Sequence, residues 1–269
     1  MRPPRKLAFG VSVLTAGVSA AVIGTGFPAR ASAAVNYVAL GDSYSSGVGA
    51  GSASGSCGQS PNAYPALWAK ANSPASFKFA ACSGATTLDV ISSELSSLRT
   101  STTLVTITIG GNDAGFSSVM QTCVLGSTSS CESAVTAGEQ FVAKTLPGRL
   151  DTMLADIRAA APNAKVVVGD YPDFYDLNAF LCLGLSSADH QALDAGINDL
   201  DTVLQAAAAR NGDAFADART QFSSHELCDA GGWLNSVTLP VGNSYHPTAT
   251  GQKSGYLPVF SAAVAAAGQ

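Results

Sequence analysis

Apolar residues along this chain alternate between two rhythms: short β-branched runs halted by glycine, and longer stretches striped every three or four positions. Val35 to Leu40 is the first short run, stopped at Gly41, the signature of a buried strand. Phe77 to Ala81 reads as a second strand, Leu104 to Ile109 as the clearest one, and Val166 to Val168 as a fourth. Ala214 to Ala216 is a weak fifth. Between them lie helical stripes. Asn62 to Lys70 predicts a short helix that tolerates Pro65 in its first turn. Leu88, Ile91, Leu95 and Leu98 stripe a helix over 86–98, and Leu146, Leu150, Met153, Leu154 and Ile157 another ahead of Pro162. Leu193, Ile197, Leu200 and Leu204 mark a long helix, and a last one is expected over 248–267. Residues 45–60 read as a Gly/Ser-rich loop and 114–133 as irregular.

Strand and helix alternate at least four times, the pattern of parallel β-α-β units in a three-layer α/β fold. No Pro/Ser-rich linker and no repeat interrupts residues 34–269, so one domain is expected there. Ligands in such folds bind beyond the carboxyl ends of the strands. Three predicted strands end in polar, glycine-punctuated turns: Gly41-Asp42-Ser43, Cys82-Ser83-Gly84 and Gly110-Gly111-Asn112-Asp113.

The first 33 residues stand apart. Met1 to Lys6 is positive, Leu7 to Gly26 is apolar and small, and Ala31-Ser32-Ala33 has the form a signal peptidase accepts. That order predicts a secretory signal peptide over 1–33, and the absence of an Arg-Arg pair points to a Sec-type signal. An uncleaved membrane anchor is the competing reading. No other run reaches the ~18 apolar residues of a spanning helix, so the exported protein is expected to be extracellular.

Of 14 basic residues, four lie in that segment; the remaining 10 against 19 acidic residues leave a formal charge of −9. Such acidity disfavours nucleic acid and anionic membranes as partners. All six cysteines follow residue 33, an even number that suggests three disulfides in an oxidising compartment. Sequential pairing is expected, Cys57–Cys82, Cys123–Cys131 and Cys182–Cys228, among the 15 pairings six cysteines permit. A metal site is not expected, because there is no Cys-x-x-Cys pair and His225 with Cys228 falls short of a four-ligand set.

A serine at a strand exit, close-packing glycines, an asparagine and a late histidine, His246 before Pro247, are the parts of an acyl-transfer site. The Gly-x-Ser-x-Gly elbow of ordinary α/β-hydrolases is absent, since position 45 is Ser. Instead, Gly41-Asp42-Ser43-Tyr44-Ser45-Ser46-Gly47 resembles the first block of the GDSL, or SGNH, hydrolases. Gly84 matches the second block, Gly110-Gly111-Asn112-Asp113 the third and Asn243-Ser244-Tyr245-His246-Pro247 the last. The blocks occur in the family's order across 41–247, and with six cysteines the pattern is most similar to secreted actinomycete lipases, esterases and phospholipases A1. The resemblance implies a flavodoxin-like sheet of about five parallel strands. It also implies Ser43 as nucleophile, His246 as base, and an oxyanion hole from the Ser43 and Gly84 N–H groups plus the Asn112 side chain.

One position departs from the family. Asp usually stands three residues before the histidine, and here the residue is Asn243. Some secreted members use a backbone carbonyl two residues before the histidine, which here is that of Ser244; a distant carboxylate such as Asp217 or Asp229 is the other option. Among the remaining polar residues, Asp42 and Asp113 read as structural, His190 as surface, and His225 as locally hydrogen-bonded. Trp68 and Trp233 read as packing. Gly47-x-Gly49-x-Gly51 lacks the spacing and following acid of a dinucleotide loop, and no cofactor is expected. Two functions remain: a monomeric secreted serine hydrolase of lipid acyl esters, or a secreted non-catalytic module binding carbohydrate or lipid on a similar sheet. Acyl length, head group and regiochemistry are not written in these motifs.

Overall fold

The β-branched runs form a five-stranded sheet in the computed structural model, which describes residues 34–268 and the isolated positions 1, 4 and 10. The expected signal segment otherwise lies outside the described residues. The strands are β1 (Asn36–Gly41), β2 (Ser76–Phe79), β3 (Leu104–Thr108), β4 (Lys165–Gly169) and β5 (Ala214–Ala216). All neighbours are parallel and the order is β2-β1-β3-β4-β5. Every residue of β3 is buried, as a strand covered on both faces requires. In this doubly wound order the connections diverge between β1 and β3, and a crevice opens at their carboxyl ends.

The helices are α1 (Ser43–Ser46), α2 (Tyr64–Asn72), α3 (Thr87–Ser92), α4 (Phe116–Leu125), α5 (Thr128–Lys144), α6 (Leu146–Ala160), α7 (Ser187–Asn211), α8 (Arg219–Phe222) and α9 (Leu257–Ala266). The predicted stripes of α6 and α7 are buried. Ser186 and Asp189 close a reciprocal cap at the start of α7, and Gly212 ends it in the left-handed region. Helix α9 packs on β4, β5 and α2, with the Tyr64 and Phe260 rings stacked 3.9 Å apart.

Three local expectations are corrected. Residues 114–133 are not irregular: α4 and α5 occupy most of them, stapled across their turn by Cys123–Cys131. The dense Ser and Thr there suit helix caps, and Ser127 caps α5. The helix expected over 86–98 breaks at Ser93, whose φ of −126° separates α3 from a 3₁₀ turn at Glu94–Ser97. Leu88 is exposed while Val90 and Leu98 are buried. The last helix runs over 249–266, as expected, and carries a π segment at Gly251–Tyr256 ahead of α9. His190 is buried, stacked 3.8 Å from the Tyr175 ring, rather than at the surface. The cysteines are joined as Cys57–Cys82, Cys123–Cys131 and Cys182–Cys228.

Candidate active site

Ser43 begins α1 directly after β1, and Asp42 caps that short helix by accepting the Tyr44 N–H at 3.0 Å. The Asp42 carboxylate also accepts the Thr108 hydroxyl at 2.8 Å and the Tyr171 hydroxyl, and Tyr171 in turn accepts the Gly111 N–H at 3.2 Å. One buried acid therefore ties together the exits of β1, β3 and β4, a structural role. Burial raises its carboxyl to about 6.

His246 arrives from the other end of the chain. Its Nε2 lies 2.7 Å from Ser43 Oγ, and its Nδ1 lies 2.9 Å from the Ser244 carbonyl oxygen. A carbonyl can only accept, so Nδ1 carries the proton and Nε2 is left to accept the serine hydroxyl. Tyr245, between them, has φ +62°, an uncommon conformation for a side-chain-bearing residue. Neighbours hold it there. Its N–H donates to Asn235 O at 2.7 Å, its carbonyl accepts the Tyr44 hydroxyl, and its own hydroxyl accepts that of Tyr175 at 3.0 Å. Asn235 further fixes the His246 carbonyl through its backbone N–H (2.9 Å) and side chain (2.8 Å).

The loop after α1 must come close to make this contact. A Cβ built on Gly49 would stand 2.8 Å from His246 Cβ and 2.7 Å from Asn235 Nδ2, and its φ is +84°. Only glycine fits that approach.

The alternatives for orienting His246 are engaged elsewhere. Asn243 meets His246 only through its carbonyl, which accepts the His246 N–H at 3.3 Å. Asp217 pairs with Arg219 at 2.7 Å, and Asp229 accepts the Glu226 N–H at 3.0 Å. His225 lies apart, stacked on Trp233 with its Nδ1 3.3 Å from Gly231 O. Burial pushes His246 down to about 4, opposed by the Ser244 carbonyl, so the imidazole is neutral at ordinary pH.

Two further loops border the pair. Asn112 donates one side-chain N–H to Ala85 O at 3.0 Å and keeps its second. Neither the Ser43 nor the Gly84 N–H has a protein acceptor among the described residues. The Gly84 turn is tied to the serine loop by Cys82 N–H to Gly41 O (2.8 Å) and by Cys57–Cys82. Asp113 accepts the Thr87 N–H and hydroxyl at 2.8 and 2.7 Å, joining the Asn112 turn to α3.

Sequence reasoning missed one buried group here. Glu94 Oε2 accepts the Gly41 N–H at 2.7 Å behind the serine turn. Burial raises its carboxyl to about 8. The signal was present: Val90, Glu94 and Leu98 sit four apart, which places the acid on the apolar face.

Apolar space opens on both sides of the pair. A cavity of about 70 Å³ runs from Ser43 and Asn112 between α4, α5 and α7, lined by Val119, Val135 and Ile197 among others. A surface groove of about 420 Å³ reaches His246 past Leu125 and Val241, and Phe116 and Met120 belong to both walls.

A profile of the GDSL-like Lipase/Acylhydrolase family matches residues 39–253. The chain belongs to that family of ester hydrolases. It is 52% identical over 255 residues to Lipase 1 of Streptomyces coelicolor, covering 93% of this chain and 95% of that one. Two solved structures superpose with a TM-score of 0.84. Phospholipase A1 from Streptomyces albidoflavus is 51% identical, covering 86% of this chain and all of that one (100%). An extracellular lipase from Streptomyces rimosus is 50% identical with the same coverage, 86% and 100%.

Proposed function

We propose that this hydrolase is a secreted serine esterase of lipid acyl esters, acting through an acyl-enzyme on Ser43. The carrying observation is the 2.7 Å contact between Ser43 Oγ and His246 Nε2 beside an apolar cavity. Nε2 takes the hydroxyl proton as Oγ attacks the ester carbonyl carbon. The negative oxygen that forms is received by the Ser43 and Gly84 N–H groups and the free N–H of Asn112. Collapse breaks the ester bond, and the imidazolium returns its proton to the departing alcohol. Water, deprotonated by the same nitrogen, then releases the acid. The Ser244 carbonyl holds the His246 ring and its tautomer throughout.

Apolar space at Ser43 and beside His246 suits acyl chains, and relatives named lipase and phospholipase A1 support lipid esters as the substrate class. Residues 1–33 serve as the signal peptide and 34–269 as the hydrolase domain, a reading supported by the charge and small-residue order of that segment and by the relative described as extracellular. The test is Ser43→Ala, assayed on acyl esters of graded chain length. The account expects residual hydrolysis at every length with the fold intact. Near-parental turnover would favour another nucleophile. Tight lipid or glycan binding without any hydrolysis by the parent would favour the non-catalytic module.

A further inference from the structure

Among the described residues, most of the large exposed apolar side chains fall in two groups at the carboxyl end of the sheet. Leu177, Phe180, Leu181 and Leu183 stand on the segment between β4 and α7, with Phe180 105% and Leu183 82% exposed. Leu125, Val237, Leu239 and Val241 form the second group, Leu239 being 90% exposed. Single exposed apolar residues are ordinary; four within seven positions on one stapled loop are a patch of the kind that marks an interaction surface.

The second group borders the catalytic groove, and the first stands on a loop whose two ends are tied to the walls of that groove. Leu125, Val237 and Val241 line it beside His246. Tyr175, two residues before Leu177, donates its hydroxyl to that of Tyr245. Ser186, three residues after Leu183, meets Thr128 at 3.1 Å, just beyond the end of α4. The loop therefore spans from the His246 turn to the α4–α5 junction. It is also anchored: Asp176 N–H donates to Leu227 O at 3.1 Å, Leu227 N–H to Phe174 O at 2.7 Å, and Cys182 is bonded to Cys228. Its apolar tips are presented outward from a braced base.

Charge selects the partner. Residues 100–143, 166–209 and 220–252 contain no Lys or Arg, while Asp173, Asp176, Asp189, Glu226 and Asp229 lie among them; Arg149 and Arg219, which also reach this end, are paired with Asp113 and Asp217. Nothing in those segments attracts anionic headgroups, and the acids repel them. Apolar tips on an acidic ground suit a surface that is greasy and carries no net charge.

We propose that Leu177, Phe180, Leu181 and Leu183, with the exposed Leu239 close in sequence to the groove residues Val237 and Val241, form an anchor that seats the enzyme on a zwitterionic lipid surface. The inference rests on the lipid-ester reading above and supplies the step by which aggregated substrate reaches the groove.

The test separates docking from turnover. Protein carrying Ser43→Ala is sedimented with phosphatidylcholine vesicles, with and without F180S/L183S. The double variant is expected to lower the bound fraction about tenfold, since two large side chains lose their apolar contact. Replacing about a third of the lipid with phosphatidylglycerol should weaken binding of the Ser43→Ala protein at low salt. With Ser43 restored, the double variant should keep parental kcat/KM on a soluble short-chain ester and lose about tenfold on vesicles. If the double variant misfolds, L239S alone carries the same comparison. Undiminished binding, salt-sensitive tightening on phosphatidylglycerol, or an equal loss on the soluble ester would each overturn the anchor. So would concentration-dependent dimerisation of the parent that the variant abolishes. Vesicle binding needs no turnover, so a failure of the Ser43 assignment leaves this result readable.

Discussion

A backbone carbonyl does part of what a carboxylate does for a catalytic histidine. The Ser244 oxygen accepts the Nδ1 proton and fixes the ring, and it carries no charge to offset an imidazolium. Burial with only a dipole for company is why His246 lies near 4. The base works when neutral, so kcat/KM should stay level as pH falls through 6.5 and drop only toward about 4. A pH–rate profile with its acid limb near 6.5 would contradict that environment. The Asn243 side chain is outside the pair, and Asn243→Ala should keep at least a tenth of kcat, a loss of ~1.4 kcal/mol or less. Asn112→Ala should lower kcat by roughly 10²–10³ with little change in KM, the scale of one oxyanion donor. Gly49→Ala should displace His246 and lower kcat in a protein that still folds, because the added methyl has no room 2.8 Å from His246 Cβ. Ser43, His246 and Asn112 were legible as residues because each sits in a short block at a turn. Gly49, Asn235 and Tyr44 were not. Gly49 and Tyr44 act through contacts with residues about 200 positions away, and Asn235 through a loop-to-loop contact with Tyr245 and His246, none of which a local pattern contains.

At the level of elements, the turns matter through what braces them from behind. Glu94 holds the Gly41 N–H, and its Oε1 is buried without a partner, so a negative charge there would go largely uncompensated. Its pKa is raised in the fold, from 4.5 to about 8. The stability it contributes is therefore full below 4.5 and drains away as pH rises through 8. Glu94→Gln keeps an acceptor and cannot ionise; denaturant midpoints measured between pH 5 and 8 should fall less steeply in that variant. Glu94→Ala should cost about 1–3 kcal/mol by stranding the Gly41 N–H. The strands and the stripes of α6 and α7 were legible because buried parallel strands and amphipathic helices repeat strongly. Helices α4 and α5 were not, because the Ser- and Thr-rich stretch that supplies the turn and the Ser127 cap between them has the composition of a loop. The split at Ser93 escaped notice because a break of one residue hardly alters a four-residue spacing.

Across the whole molecule, the flavodoxin-like strand order brings chain segments about 200 residues apart to one crevice between β1 and β3. That convergence could be anticipated from strand–helix alternation and the rule that ligands bind at carboxyl ends. The apolar cavity between α4, α5 and α7 could not, since it depends on how three helices pack. Two disulfides brace the working end: Cys57–Cys82 joins the serine and Gly84 loops, and Cys182–Cys228 the exposed loop. Reduction should lower the melting temperature, at about 2–4 kcal/mol per bridge on the chain-entropy model. The central claim is that Ser43, deprotonated by His246, is the acylated atom. It is tested most directly by treating the protein with a serine-directed alkylphosphonate ester and locating the adduct by mass spectrometry. The account predicts a single adduct on Ser43, none on Ser43→Ala, and strongly slowed labelling of His246→Ala. Stoichiometric inactivation with the adduct on any other residue would contradict it.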